Sequence, residues 1–212
     1  MHKNWIIFIT AMILLFGGGF YYRYRTNAVD ERGATKLMRS FEEETDQQEV
    51  LRLIRHTENV NERDKSGRTA LFYAVEHGAD PELVRHLLKM GADTTITDES
   101  GQTSLMAAAR YNHSENVLMQ ILLAGAPINA ADRDGYTALM YAAQYNTPGI
   151  VKKLVRLGSD PDIHPADGPN AAALLAENKH FSEEERKDFV TAFKVLAIIG
   201  PHPHAFVNSE KK

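Results

Sequence analysis

Cysteine is absent from all 212 residues. That removes disulfides, thiolate metal sites, cysteine nucleophiles and lipid attachment at sulfur. It leaves the compartment open, because a disulfide-free chain can work on either side of a membrane. An excess of one charge is also missing. The formal net charge is -4, and no basic face of the kind that binds a polyanion stands out, so nucleic acid is not an expected partner. Catalytic signatures are missing as well: there is no glycine-rich phosphate loop, no H-E-x-x-H and no G-x-S-x-G. The nine histidines are scattered. His56, His77, His86, His113 and His180 fall at helix ends or on exposed helical faces by pattern, and His202 and His204 supply only two ligands in a P-H-P-H stretch. The acidic runs Glu42 to Glu44 and Glu183 to Glu185 sit at predicted helix boundaries, where solvation and the helix dipole account for them. No catalytic residue, metal, cofactor or small-molecule substrate is expected.

Charge is missing in one further place. Trp5 to Tyr22 reads WIIFITAMILLFGGGFYY, without a single charged side chain. As a helix rising about 1.5 Å per residue, it would match the hydrocarbon thickness of a bilayer. Trp5 and the tyrosines 21, 22 and 24 stand at its two ends, where amphipathic rings favour the interface. A buried core helix fits poorly, since the segment has no polar face. A cleaved signal peptide is the stronger rival, but the A-x-A pattern is absent. The expectation is an uncleaved signal anchor over residues 5–22, behind a short tail, 1–4, and before a polar linker, 23–34. Lys3 precedes it, and Arg23, Arg25, Arg32, Lys36 and Arg39 come after it. Positive charge alone would hold the rest of the chain in the cytoplasm. Short basic-start anchors commonly export the chain behind them, and the balance tips slightly that way. The expected protein is single-pass in the cell membrane, with its folded region extracytoplasmic, periplasmic in a bacterium.

What the remainder holds in abundance is repetition. Gly67-RTALFYAV, Gly101-QTSLMAAA and Gly135-YTALMYAA place their glycines at equal intervals. A second series, Gly91, Gly125 and Gly158, stands at one constant distance before Gly101, Gly135 and Gly168. Small residues (Ala74, Ala108, Ala109, Ala142, Ala143) mark one helix of each unit, whose neighbours can then approach closely. Leu83, Val84, Leu87 and Leu88 recur at helical spacing in the other, as do Val117, Leu118, Ile121 and Leu122, then Ile150, Val151, Leu154 and Val155. Gly91, Gly125 and Gly158 suit left-handed caps where that second helix stops. Asp80-Pro81 and Thr147-Pro148 read as N-cap followed by first-turn proline.

These residues resemble the ankyrin-repeat family over roughly residues 46 to 200. The family's D-x-x-G-x-T-P-L-H start matches Asp64…Gly67-Arg68-Thr69-Ala70-Leu71, Asp98…Gly101-Gln102-Thr103-Ser104-Leu105 and Asp132…Gly135-Tyr136-Thr137-Ala138-Leu139. Proline is replaced by Ala70, Ser104 and Ala138, and histidine by Phe72, Met106 and Met140, which predicts a less stable array of the same fold. The resemblance implies an all-α ankyrin-repeat solenoid, helix-turn-helix repeats joined by β-turn fingers, and the uncharged run at 5–22 sets one transmembrane helix before it. The expected order is N-terminal capping helices, 35–63, repeats at 64–97, 98–131 and 132–164, a degenerate C-terminal capping repeat, 165–200, and a tail, 201–212. Ser182-Glu183-Glu184-Glu185 reads as a capping box opening the last helix.

The resemblance also implies the function, binding another protein, while the apolar run implies contact with the bilayer through residues 5–22. Partners of such arrays usually meet the finger tips and the exposed edge of the inner helices. Carried over by position, the fingers offer Lys65, Ser66 and Arg68, then Glu99, Ser100 and Gln102, then Arg133, Asp134 and Tyr136. The inner helices offer Glu76, His77, Arg110, Tyr111, Gln144 and Tyr145. Tyr111, Tyr136 and Tyr145 belong to adjacent repeats and are expected close together, as an interface hot spot or as shielding for the alanine-rich helices. The leading expectation is a membrane-anchored adaptor or scaffold binding through its concave face. The alternatives are an immunity or inhibitor protein that blocks a partner enzyme, and an enzyme whose site escapes the motifs.

Overall fold

The computed structural model describes residues 29–43, 45–111 and 114–199. The expected anchor at 5–22, His113 and the tail at 201–212 lie outside them. Among the described residues no helix is long and apolar enough to cross a membrane.

Among the described residues ten helices follow one another in pairs: α1 (Lys36–Glu42), α2 (Gln47–His56), α3 (Ala70–Glu76), α4 (Pro81–Lys89), α5 (Ser104–Tyr111), α6 (Glu115–Leu123), α7 (Ala138–Tyr145), α8 (Pro148–Arg156), α9 (Ala171–Glu177) and α10 (Glu183–Ile199). The odd-numbered helices stack in sequence as an inner row, α2, α4, α6 and α8 stack as an outer row, and each inner helix packs on the outer helix that follows it. The described residues form no strand, only isolated bridges between Thr97 and Thr103 and between Ala131 and Thr137.

Helices of 7 to 10 residues are marginal alone. Here their ends are closed by side chains and their faces by neighbours. Thr35, Thr69 and Thr137 cap α1, α3 and α7 by accepting from the N3 backbone, and Thr103 Oγ1 does the same for Met106 at 3.3 Å. Ala74, Ala107, Ala108, Ala109, Ala142 and Ala143 are buried between inner helices. The outer helices α4, α6 and α8 stop in Schellman motifs, whereas α2 ends at an extended Thr57. Gly91, Gly125 and Gly158 take φ of +87°, +94° and +97°. The next N–H in each case reaches back to Leu87, Ile121 or Leu154. At the start of α4, Asp80 caps with Pro81 in the first turn. Thr147 stands in the same place before α8, but its hydroxyl makes no cap bond. The Asn146 side chain orders that turn instead, accepting from the Thr147 N–H at 2.8 Å.

Three features go beyond the sequence expectations. Asp30 to Ala34, expected as linker, fold as a finger like the others. Asp30 Oδ1 accepts from the Arg32 and Ala34 N–H groups at 2.9 Å each, as Asp64 Oδ1 does from Ser66 and Arg68. Successive fingers are then joined by a backbone ladder, in which Lys65, Glu99 and Arg133 donate to the carbonyls of Arg32, Ser66 and Ser100. Gly101 needs its φ of +84° to make the turn, and a Cβ there would press to 3.1 Å from the Arg133 backbone nitrogen.

The second concerns the lost histidines. Two of the methionines at the helix starts, Met38 and Met106, turn their sulfur to the N–H of their own capping threonine, at 3.4 Å. Buried asparagines supply ties between neighbouring repeats. Asn146 Nδ2 donates to the Ala109 carbonyl at 2.9 Å, and Asn178 Nδ2 donates to those of Ala143 and Asn146, also at 2.9 Å.

The third lies at the C-terminal end, where Pro165 stands in the place of the finger aspartate and Asn170 replaces threonine as the cap of α9. The Ser182–Glu185 capping box before α10 forms reciprocally, at 2.9 and 3.3 Å. The bonds from Ser182 hold the Glu185 carboxyl below its ordinary range.

Candidate partner-binding face

Fingers and inner helices share one face because side chains from the fingers fold back onto the helices. In the first of the three glycine-phased repeats, Asp64 is buried and receives the Tyr73 hydroxyl on Oδ2 at 2.8 Å. Arg68 closes the group, donating to Asp64 at 3.2 Å, to Tyr73 Oη at 2.8 Å and to Glu76 at 3.2 Å, with its guanidinium 4.5 Å from the Tyr73 ring centre. The exposed His77 stacks on Tyr73 at 6.2 Å. Nearby, Arg32 grips Glu42 through two bonds of 2.8 and 2.7 Å and holds that carboxyl below its usual range. This half of the face is a charge network satisfied within itself.

The other half is aromatic. Tyr141 repeats the Tyr73 arrangement, donating to Asp132 Oδ2 at 2.6 Å. Burial first, and then that hydrogen bond, push the Tyr141 phenol well above its ordinary value, and the same causes act on Tyr73. In the repeat between them the tyrosine is replaced by Ala107, and Gln102 Nε2 reaches forward instead to Tyr141 Oη at 2.6 Å. Tyr136 packs on Tyr141 with ring centres 5.6 Å apart. Arg110 sits over three rings at once, 5.0 Å from Tyr111, 5.5 Å from Tyr141 and 4.7 Å from Tyr145. Tyr111 and Tyr145 remain 39% and 40% exposed. The three tyrosines named from sequence are therefore linked, but through Arg110 and Tyr141 rather than by direct stacking. Sequence reasoning missed Tyr141 because it is buried. Its signal was available: Tyr73 and Tyr141 occupy the same phase of the repeat.

A model of ankyrin repeats, three copies, matches residues 10–98 and 78–165. The chain belongs to the ankyrin-repeat family. No curated protein matches it. Ankyrin repeats bind other proteins, and proteins built from them are typically binding modules rather than enzymes. Among the described residues, no three histidine or acidic side chains gather as metal ligands.

The remaining sequence-named positions divide by place in this ankyrin array. Lys65, Ser66, Glu99, Ser100, Arg133 and Asp134 are exposed on finger tips. The ladder uses the backbone of Lys65, Ser66, Glu99, Ser100 and Arg133, while the Asp134 N–H donates to Asp132 Oδ1. Gln144 lies half-buried in α7, next to Tyr145.

Proposed function

We propose that the chain is a membrane-anchored adaptor that holds a protein partner on the face made by its fingers and inner helices. The observation that carries this reading is the pair of half-exposed tyrosines, 111 and 145, brought from adjacent inner helices onto one arginine. Tyrosine and arginine bury large area on binding while keeping a polar tip, and they dominate interface hot spots. Anchoring is supported by the uncharged run from Trp5 to Tyr22. The basic start at Lys3 supports an extracytoplasmic repeat region at the cell membrane.

The test is a pull-down from solubilised membranes with the full chain, followed by affinity measurement on the protein recovered. Tyr111→Ala with Tyr145→Ala should weaken that binding by more than about 2 kcal/mol, a typical hot-spot loss, with helicity intact. Unchanged affinity would discard this face. Recovery of one enzyme in stoichiometric amount, with its activity suppressed, would replace the adaptor reading by that of an inhibitor. A reporter fused after Lys212 reads the orientation.

A further inference from the structure

We infer that the aromatic half of the face takes an acidic side chain of the protein partner, its carboxylate seated on the Arg110 guanidinium between the rings of Tyr111 and Tyr145. The inference rests on the reading of this face as the binding surface and adds the chemistry of what binds. The arginines of the face are treated unequally. Arg32 is paired with Asp30 and Glu42 at 3.0 and 2.7 Å, and Arg68 with Asp64 and Glu76 at 3.1 and 3.2 Å. Arg110 is half-buried. Yet among the described residues no carboxylate comes within 4.0 Å of it, and it donates no hydrogen bond. The three rings stand around its guanidinium. The carboxylate of Asp132 is already engaged, by the Tyr141 hydroxyl on one oxygen and by the Asp134 and Tyr136 N–H groups on the other.

A guanidinium partly withdrawn from water without a counter-ion is costly. Ring faces offset part of that cost and leave the N–H donors unused, in a fork that matches a carboxylate. The rings also lower the local dielectric, which strengthens an ion pair formed there relative to one in open water. Charge complementarity therefore selects an acidic residue. The exposed halves of Tyr111 and Tyr145 select apolar neighbours for it in the partner's chain.

The full-length chain, in a non-ionic detergent, is panned against a random-peptide display library, with the Arg110→Gln chain as counter-selector. Peptides kept by the wild type should share an aspartate or glutamate beside an aliphatic or aromatic residue. Replacing that acid by its amide, or Arg110 by Gln, should each weaken binding about tenfold or more, as expected for a lost charge-assisted bidentate pair. Both changes together should weaken it little further, which assigns the loss to the pair itself. Arg110→Lys should retain part of the affinity, and thermal unfolding checks that each variant is folded. Selection without acidic bias, binding equally strong to Arg110→Gln, or no enrichment at all would each overturn the inference. So would binding that appears only after residues 201–212 are removed, since the occupant would then be the chain's own tail. Peptides lost by Tyr111→Ala and Tyr145→Ala but indifferent to Arg110→Gln would sink this inference alone. Indifference to all three substitutions would sink the face as well.

Discussion

Asn146→Ala is the sharpest test of how the array is held together. The residue is fully buried, its amide donates to the Ala109 carbonyl one repeat away, and its side-chain oxygen accepts the Thr147 N–H at the start of α8. Alanine keeps the backbone and removes both bonds. Each is worth about 1 kcal/mol net, and leaving a buried polar partner unsatisfied adds about 1 kcal/mol or more. We therefore expect a loss of about 2–3 kcal/mol, a large part of the roughly 5–15 kcal/mol available to a folded domain. The location shapes the effect as much as the size. In a solenoid, stability is a sum of repeat terms and nearest-neighbour terms, and this bond belongs to the contact between the α5 and α7 repeats. Urea unfolding followed by far-UV circular dichroism should move to lower denaturant, and the transition should broaden or split as the two halves uncouple. Gln144→Ala, close by in α7 and half-buried, is the control and should change stability by no more than about 0.5 kcal/mol. A loss for Asn146→Ala as small as the control's, with an unchanged slope, would refute the assignment of the inter-repeat tie to asparagine.

Two further outcomes can be checked on the same protein. Ser104→Pro should stabilise: the position opens α5, its hydroxyl is buried without a partner, and proline fits a first helical turn, so about 0.5–1 kcal/mol and a higher Tm are expected by calorimetry. Alkaline titration followed by phenolate absorbance should find Tyr73 and Tyr141 ionising late. Their folded values lie above the unfolded value of 10.0, so the stability they contribute is complete below that pH and is lost as the pH rises towards their folded values.

The repeat was legible because its punctuation is backbone-determined. Gly67, Gly101 and Gly135 sit at positive φ against the next finger, where no other residue fits without strain, so they recur in register. Asp30, Gly33 and Thr35 carry the same signal one period earlier. They are harder to see because α1 reads KLMRSFE, with Ser40 and Phe41 where the three glycine-phased repeats carry Ala74 and Val75, Ala108 and Ala109, and Ala142 and Ala143. The asparagine ties were hidden for a different reason. The step from Asn146 to Asn178 falls short of the glycine period, and a polar residue at a helix end looks exposed until the next repeat covers it. In the candidate site, sequence placed the tyrosines on one edge but could not tell that Arg110 would lack an acid while Arg68 gained two. Pairing of that kind depends on which side chains the curvature of the stack brings into reach.

The finger ladder has direction. It runs from Arg32 through Ser66 to Ser100, each carbonyl gripping the next finger, and among the described residues no N–H of the fifth finger reaches Asp134. Pro165 brings no carboxylate to draw that last turn into shape. The first four fingers are thus fastened like the teeth of one comb, while the fifth meets the fourth by packing, with Pro165 against Gly135. Anything grasped near Arg110 meets hydrogen-bonded fingers on its N-terminal side and a finger without that bond at Pro165. Melting should accordingly start from the C-terminal end and travel inward.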